Sequence, residues 1–435
     1  MALSTQPYKG ARDFFPEDKR LQTYIFNKIR RTVESFGYEE YDAPILESIE
    51  LYRAKSGEEI VNEQTYNFVD RGGREVVIRP EMTPTVSRMV AARRQEHAYP
   101  LRWYSIPNLW RYERPQRGRL REHWQLNVDI FGVMGHEAEL EVIKVTDQIY
   151  KNFGATAEMY LIKVNDRRLT DFILQDYLDL TATQAYATAK LIDKMHKITH
   201  EVFMSAVDEI LDSQQKESGA LERLLTVLDC HNLSSLPEPV RAHSSTGELA
   251  ALIKRLQSSG VSNVSFDATL MRGFDYYTGI VFEVNDTHPD NNRSMMGGGR
   301  YDGLVGMFGV EPVPTVGFGL GDATLANFLE LHALTPVLNT ETHLYIVPVV
   351  AEVIGACSDI ASRLRMRGVN VAVDLSGRKL GDQLKTADKK GIRFCLVVGP
   401  DEIAAAAYSL KDLTTGESKT VQEGQIPQFI SIPEK

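Results

Sequence analysis

The spacing of apolar residues in the first third of the chain predicts helices that alternate with short strands. From Leu21 to Val33 apolar residues recur every four positions, after Pro16 and before Gly37, which predicts a first helix. Farther on, aromatic, apolar and arginine positions alternate, as in an antiparallel hairpin. The hairpin is predicted as a strand at about 102–113, a loop at about 114–121 and a strand at about 122–132. Further predicted elements are an extended segment at 38–47, a strand at 76–80, and helices at 83–95 and 136–153.

The pattern changes twice along the rest of the chain. Helical periodicity dominates about 165–265, which we interpret as a helical insertion, and strand patterns return at 280–284 and at the glycine run 297–299. After Pro336, apolar strands alternate with helices, an order typical of βαβ units with a mostly parallel sheet. The predicted domains are 1–335, which contains the insertion, and 340–435.

Composition narrows the class of protein. The 435 residues exceed what one ordinary core holds, and 43% hydrophobic with 25% charged residues is typical of soluble globular proteins. No stretch approaches the ~18 consecutive apolar residues of a membrane helix, and the N-terminus lacks the apolar region of a secretory signal. Cys230, Cys357 and Cys395 have no paired spacing, which argues against a zinc cluster and favours a cytoplasmic protein.

The distribution of charge matters more than its sum. A net charge of −10 argues against RNA binding when taken alone. Five arginines nevertheless lie from Arg111 to Arg121, with Glu113 as the acid among them, and a second basic stretch runs from Arg363 to Lys390. An acidic protein with two local basic surfaces can still bind RNA.

The predicted hairpin carries residue types that suit phosphate and ammonium groups. Arg111 stands at a strand end, where packing can hold a guanidinium rigidly enough to bind a phosphate bidentately. Glu113 can accept a hydrogen bond from an adenine amino group. Gln125 and Asp129 are four residues apart, so on a strand they share a face, and a carboxylate beside an amide suits an α-ammonium group. These residues leave open the alternative of a plain basic surface loop.

Residues 268–282 are the most informative stretch. Arg272 is a planar cation that suits a carboxylate or phosphate, and Asp275 can orient a neighbouring group. Tyr276 and Tyr277 offer aromatic walls with polar tips. Such a pocket suits a small zwitterion with an aromatic ring, bound near a polyphosphate.

The order of these segments resembles the class II histidyl-tRNA synthetases over essentially the whole chain. An extended segment at Pro44 is followed by Arg-Pro-Glu-x-Thr from Arg79, the arginine hairpin, Arg-Gly-Phe-Asp-Tyr-Tyr from Arg272 and Gly-Gly-Arg-Tyr-Asp-Gly from Gly298. The stretch from Lys379 resembles the anticodon-binding domain of the class IIa enzymes. The resemblance implies an α/β fold in which an antiparallel sheet is flanked by helices, with the helical insertion and a C-terminal α/β anticodon-binding domain.

The resemblance also implies an activity and its residues. It implies a cytoplasmic homodimer that activates histidine with ATP and Mg²⁺ and transfers it to the 3′ end of tRNA(His). The implied catalytic residues are Arg272 and Arg111. The implied histidine-binding residues are Glu81, Met82, Thr83, Arg111, Gln125, Asp129, Arg272, Tyr276, Tyr277 and Tyr301. ATP would contact Arg111, Glu113 and Arg119, and the acceptor end of tRNA would face Gln116 and Arg121.

The chain departs from the family pattern at its third motif. Ala323 and Thr324 occupy the Glu and Arg positions of Gly-x-Glu-Arg, and loss of a cation stacked on adenine costs about 1–2 kcal/mol. Asp129 also stands where many family members have Glu. An alternative function is that of a regulatory, histidine-sensing paralogue that does not charge tRNA, although such proteins lack the anticodon-binding domain. A third is an interaction domain that binds uncharged tRNA, but the chain has no kinase motifs.

Overall fold

A computed structural model describes residues 3–53, 64–116, 118–271, 276–291 and 293–430. It separates into two units, Met1–Asp13 with Gln22–Thr335 and Phe14–Leu21 with Pro336–Lys435. Each unit has sheets of its own. In the part of the chain that the structure describes, no helix is long and apolar enough to cross a membrane.

The first unit is organised around one large sheet. Its strands are β1 (Glu39–Glu40), β2 (Leu46–Ser48), β3 (Tyr66–Val69), β4 (Glu75–Ile78), β5 (Leu101–Ser105), β6 (Asn108–Trp110), β7 (Glu122–Phe131), β8 (Tyr160–Asp166), β9 (Val264–Phe266), β10 (Ile280–Asp286), β11 (Ser294–Arg300) and β12 (Thr315–Gly321). Within the described residues the large sheet runs β1-β5-β7-β12-β11-β10-β8-β9, with β6 on β7, and a small sheet runs β2-β4-β3. The central pairs from β5 to β8 are antiparallel, as expected.

Helices flank the large sheet and fill the insertion. They are α1 (Pro16–Glu34), α2 (Glu50–Arg53), α3 (Thr83–Ala92), α4 (Glu137–Asn152), α5 (Arg167–Asp171), α6 (Ala182–Lys194), α7 (His200–Ile210), α8 (Ser213–Glu217), α9 (Ala220–Leu228), α10 (Glu238–Arg241), α11 (Ser244–Ser258) and α12 (Asp322–Leu331), with a π-helical turn at Phe172–Tyr177. The first helix follows its sequence pattern, because Ile25, Ile29 and Val33 are buried along one side.

Several sequence expectations need correction. The first hairpin strand is not continuous at about 102–113: it breaks into β5 and β6 around Pro107, which has no N–H to donate. The strand predicted at 76–80 ends earlier, since β4 stops at Ile78, while Thr83 begins α3 as predicted, with proline in its first turn. The strand pattern predicted at the glycine run 297–299 is confirmed, since the run lies inside β11.

The second unit combines parallel and antiparallel pairing. It contains β13 (Leu344–Pro348), β14 (Val371–Val373), β15 (Phe394–Val398), β16 (Tyr408–Asp412) and β17 (Ser418–Val421), with α13 (Ile354–Arg365), α14 (Leu380–Lys389), α15 (Pro400–Ala405) and α16 (Ile426–Phe429). The strand order is β14-β13-β15-β16-β17. Among the described strands of this unit, β14-β13 and β13-β15 pair in parallel, whereas β15-β16 and β16-β17 are antiparallel. The expectation of a mostly parallel sheet therefore missed the β15-β16-β17 meander. The sequence pattern of 400–421 gave no alternation strong enough to reveal it.

Candidate active site

A cavity of about 210 Å³ opens between the arginine hairpin and the strands beside it. Its walls come from the loop between β6 and β7, from the start of β7, from the glycine-bearing strands β11 and β12, and from the N-terminus of α12. The side chains that matter for its chemistry are those of Arg111, Glu113, His123, Gln125, Ala323 and Thr324.

The base of the hairpin loop is held by hydrogen bonds that orient its charged side chains. Nε of Arg111 donates to the carbonyl of Pro80 at 2.8 Å, and the Arg111 backbone N–H donates to the carbonyl of Arg121 at 2.8 Å. Glu113 is almost buried and forms a bidentate pair with the half-exposed guanidinium of Arg119. The rest of the Arg111 guanidinium therefore faces the cavity from a fixed position, and Glu113 is neutralised by Arg119.

One face of β7 presents the predicted amide and carboxylate. Gln125 lines the cavity, and its Nε2 donates to Oδ1 of Asn127 at 2.7 Å. Asp129, four residues after Gln125, lies on the same face of the strand. Across the sheet, Gly317 pairs with Asp129 and Gly319 with Asn127, so that Gly319 lies between the partners of Asp129 and Gln125. A Cβ on Gly319 would lie 2.9 Å from Cδ of Gln125, and one on Gly317 would lie 3.0 Å from Cγ of Asp129. The two glycines are what leave room for these side chains.

Two carboxylates and three tyrosines are gathered at the buried end of this face. The hydroxyl of Tyr301 donates to Oδ1 of Asp129, and the hydroxyl of Tyr276 donates to Oε2 of Glu81 at 3.4 Å. The Tyr276 ring lies 4.9 Å from that of Tyr277 and 5.5 Å from that of Tyr301, between ring centroids. Glu81 is buried, with only 2% of it exposed.

Burial gives Asp129 unusual electrostatics. Desolvation raises the pKa of its carboxyl group to about 7, and the hydrogen bond from Tyr301 only partly offsets this. Burial also raises the pKa of Tyr301 well above its ordinary value, and the nearby Asp129 adds to the effect. Because burial makes an unpaired charge costly, a carboxylate in this environment is suited to receive a cationic group from a ligand.

The remaining predicted residues are placed less centrally. Met82 is 1% exposed and precedes α3, where Thr83 is the first residue. Gln116 is exposed, and its Oε1 accepts from Nη2 of Arg293 at 2.5 Å. Arg121 lies outside the cavity lining, with Nη1 3.2 Å from the Tyr8 hydroxyl. Arg272, predicted as a catalytic residue, lies outside the described residues.

Sequence reasoning missed a group of residues at the third motif. His123 lines the cavity, and burial, with the charges of Arg111 and Arg12, lowers its pKa to about 3, so its ring is neutral. Nη2 of Arg12 donates to Oδ2 of Asp322 at 2.8 Å, and Oδ1 of Asp322 accepts from the Trp124 backbone N–H at 3.0 Å. Asp322 could have been noticed beside the altered motif, but the sequence carries no signal for Arg12, which is 310 positions away.

The unusual residues of the third motif leave this side of the cavity open. The hydroxyl of Thr324 is in hydrogen-bonding distance of two backbone carbonyls, that of Met295 at 2.9 Å and that of Gly321 at 2.8 Å. Ala323 has no polar side chain. Among the described residues, Arg12 brings a positive charge to this side. It does not belong to α12 but forms an ion pair with Asp322, the first residue of that helix.

The antiparallel sheet and the site on its central strands define the catalytic domain of a class II aminoacyl-tRNA synthetase, followed by a separate α/β unit. The chain belongs to the histidyl-tRNA synthetase family: the family model of histidyl-tRNA synthetase matches residues 10–325. The model of an anticodon-binding domain matches residues 343–431.

Relatives support the same assignment over the full length. A histidine–tRNA ligase of Leptospira biflexa is 44% identical over 431 residues, covering 98% of both chains. One of Thermoplasma volcanium is 35% identical and covers 98% of this chain and 99% of its own. The crystal structure of histidyl-tRNA synthetase from Nostoc sp. PCC 7120 superposes with a TM-score of 0.80, covering 99% of this chain and all of that one; at 24% identity this likeness concerns the fold.

Proposed function

We propose that the chain works as a histidine–tRNA ligase, which forms histidyl-adenylate from histidine and ATP and then transfers histidine to the 3′ end of tRNA(His). The observation that carries this proposal is the polar face of β7, where Gln125 and Asp129 lie beside a cavity that Arg111 also lines. Membership of the histidyl-tRNA synthetase family and the ligase relatives support the same activity.

Histidine would be bound by the buried end of the site. Asp129 and Gln125 would receive the α-ammonium group, because a buried charged carboxylate is costly unless a cation is paired with it. Glu81, with Tyr276 and its tyrosine neighbours, would hydrogen-bond the imidazole ring, and a polar pocket of this kind rejects side chains that leave its groups unpaired. Thr83 and Met82 would complete the wall.

ATP would occupy the cavity next to the hairpin. Arg111 would bind the α-phosphate, and Arg119 would exchange its pairing with Glu113 for the distal phosphates, which frees Glu113 to accept from the adenine amino group. The neutral ring of His123 offers a flat surface for adenine, and Arg12 supplies positive charge where the family arginine is replaced by Thr324.

Mg²⁺ fits the site as a companion of the ATP phosphates. Mg²⁺ keeps mostly phosphate and water oxygens as ligands, and the described lining offers one carboxylate, Glu113. Within the described ranges, no three His, Cys, Asp or Glu residues form a group that could hold a metal ion. When bound, the ion would neutralise phosphate charge.

The chemistry would rest on positioning and charge stabilisation. The histidine carboxylate attacks the α-phosphorus of ATP in line, a P–O bond to pyrophosphate breaks, and histidyl-adenylate forms. Arg111 would stabilise the charge on the phosphoryl oxygens; the same role proposed for Arg272 rests on the family resemblance. A ribose hydroxyl at the tRNA 3′ end then attacks the carbonyl carbon and AMP leaves.

The other parts of the proposal concern tRNA and assembly. Residues 1–335 would form the catalytic domain with its insertion and 340–435 the anticodon-binding domain, while Gln116 and Arg121 would face the acceptor end. We also propose a homodimer, supported by the exposed apolar residues Ile45 and Leu46 beside Pro44, and a cytoplasmic location, supported by three free cysteines among the described residues.

The test is histidine-dependent exchange of pyrophosphate into ATP, followed by charging of tRNA(His). We expect both activities, and an Arg272→Ala variant should lose most of the exchange. Histidine binding without any exchange would refute the ligase proposal and favour the regulatory alternative.

A further inference from the structure

A cluster of aromatic side chains lies outside the cavity at the base of the hairpin loop. We call it the aromatic platform: Tyr8, Tyr66, Trp110 and Tyr112, with the guanidinium of Arg121. Neighbouring ring centroids are 5.4 to 6.5 Å apart. The Arg121 guanidinium carbon lies 4.0 Å from the Tyr112 ring centroid and 5.8 Å from that of Tyr8. Segments distant in sequence are thus joined by edge-to-face and tilted ring contacts, together with hydrogen bonds from Arg121 and Tyr66 to the Tyr8 hydroxyl.

The platform is exposed to an extent that packing does not explain. Tyr8 is 52% and Tyr112 50% exposed, while Tyr66 and Trp110 are half-buried beneath them. A cluster that served only to fasten the N-terminal segment would be expected to cover its large rings. Here two tyrosine rings remain available on the surface, and Arg121 already orders both of them.

The position of the platform relative to the cavity points to its ligand. Tyr112 stands between Arg111 and Glu113, which both line the cavity, while its own ring lies outside. Exposed Lys9 and Arg114 follow Tyr8 and Glu113 in the chain and add positive charge at this rim. Aromatic rings next to basic side chains are the usual means of binding unpaired nucleotides, because every base has a face that stacks.

We propose that the aromatic platform stacks an unpaired nucleobase of the tRNA 3′ strand while the terminal adenosine enters the cavity. The proposal rests on the ligase function proposed above, since a 3′ end that reaches the cavity must pass its rim. Tyr112 and Tyr8 supply the stacking surface, and Arg121 supplies donors for the adjoining phosphate. The site discriminates single-stranded from paired RNA rather than one base from another.

The first experiment separates tRNA binding from adenylate formation. Tyr112→Leu should raise the KM for tRNA in aminoacylation by roughly tenfold, equivalent to about 1.4 kcal/mol, while pyrophosphate exchange stays within about twofold of the parent. Tyr112→Phe keeps the ring and should retain the parental KM. Tyr8→Leu and Tyr8→Phe should behave in the same way, with the melting temperature of each variant checked.

The matched control is Tyr186→Leu, which removes another exposed tyrosine with a cation over its ring, 4.3 Å from Nζ of Lys190. An equal rise in the tRNA KM for this control, an unchanged KM for Tyr112→Leu, or a parallel loss of exchange would overturn the proposal. If the parent protein itself lacks exchange, the ligase proposal fails instead.

A second experiment detects the stacked base directly. tRNA with 2-aminopurine in its single-stranded 3′ end should lose fluorescence on binding the parent and Tyr112→Phe, because stacking quenches this base. The quenching should be largely absent with Tyr112→Leu at saturating protein. Equal quenching with parent and Tyr112→Leu would contradict the platform.

Discussion

Replacement of Asp129 by asparagine should stabilise the unliganded protein at high pH while it weakens histidine binding. Burial raises the pKa of Asp129 to about 7 from an ordinary 3.8. Because the folded state holds this proton more tightly than the unfolded state, the free energy of unfolding falls as pH rises from about 4 to about 7 and is lowest above that range. The full difference corresponds to roughly 4 kcal/mol, of which about 2–3 kcal/mol accrues between pH 5 and pH 8.

The assay is urea unfolding of parent and Asp129→Asn at pH 5 and pH 8 without ligands. The stability advantage of the variant should grow by about 2–3 kcal/mol between the two pH values, since asparagine cannot ionise. In pyrophosphate exchange at pH 8 the same variant should show a KM for histidine raised by about 10- to 100-fold, the loss expected for a hydrogen bond to a charged group. Stability and binding would then move in opposite directions.

Asp267→Asn is the matched control. Burial opposes ionisation of Asp267, but Lys163, at 2.8 Å, and Thr269 hold its pKa below the usual value. This carboxylate therefore contributes stability above its unfolded pKa, lost only as pH falls through the lower folded pKa. Asp267→Asn should be destabilised by similar amounts at pH 5 and pH 8. A pH-independent gap for Asp129→Asn would refute the reasoning about its burial.

Three further predictions test other parts of the site. Arg12→Ala should raise the KM for ATP in exchange by about tenfold, with little change for histidine, because Arg12 supplies charge at the adenine side; an equal rise for both substrates would contradict this role. Gly319→Ala should raise the KM for histidine by pushing Gln125 aside, whereas Gly247→Ala, with open space in α11, should stabilise the protein by up to ~1 kcal/mol in thermal unfolding. Arg300→Met should lower the free energy of unfolding by about 3–5 kcal/mol, because it removes the arginine that pairs with the fully buried Glu139. A neutral effect would show that the pair is dispensable.

Much of the fold was predictable because its signals are local. The first helix and the hairpin follow from periodicity, and the helix that begins at Glu137 follows its predicted range within a residue or two. The errors had two causes: a local backbone effect of proline that periodicity does not register, and non-local strand pairing. Pro107 split a predicted strand, and β17 forms only because β16 offers it an edge.

Sequence by itself determined the family and the identity of the candidate site residues, because those depend on the order of motifs along the chain. It also exposed Ala323 and Thr324 as departures at the third motif. Tertiary structure alone decided what these residues experience. It buried Glu81, raised the pKa of Asp129, and brought Arg12 to the start of α12. The physical reason is that desolvation and ion pairing depend on distances through space, which positions far apart in the chain acquire only when the sheet and its helices close around them.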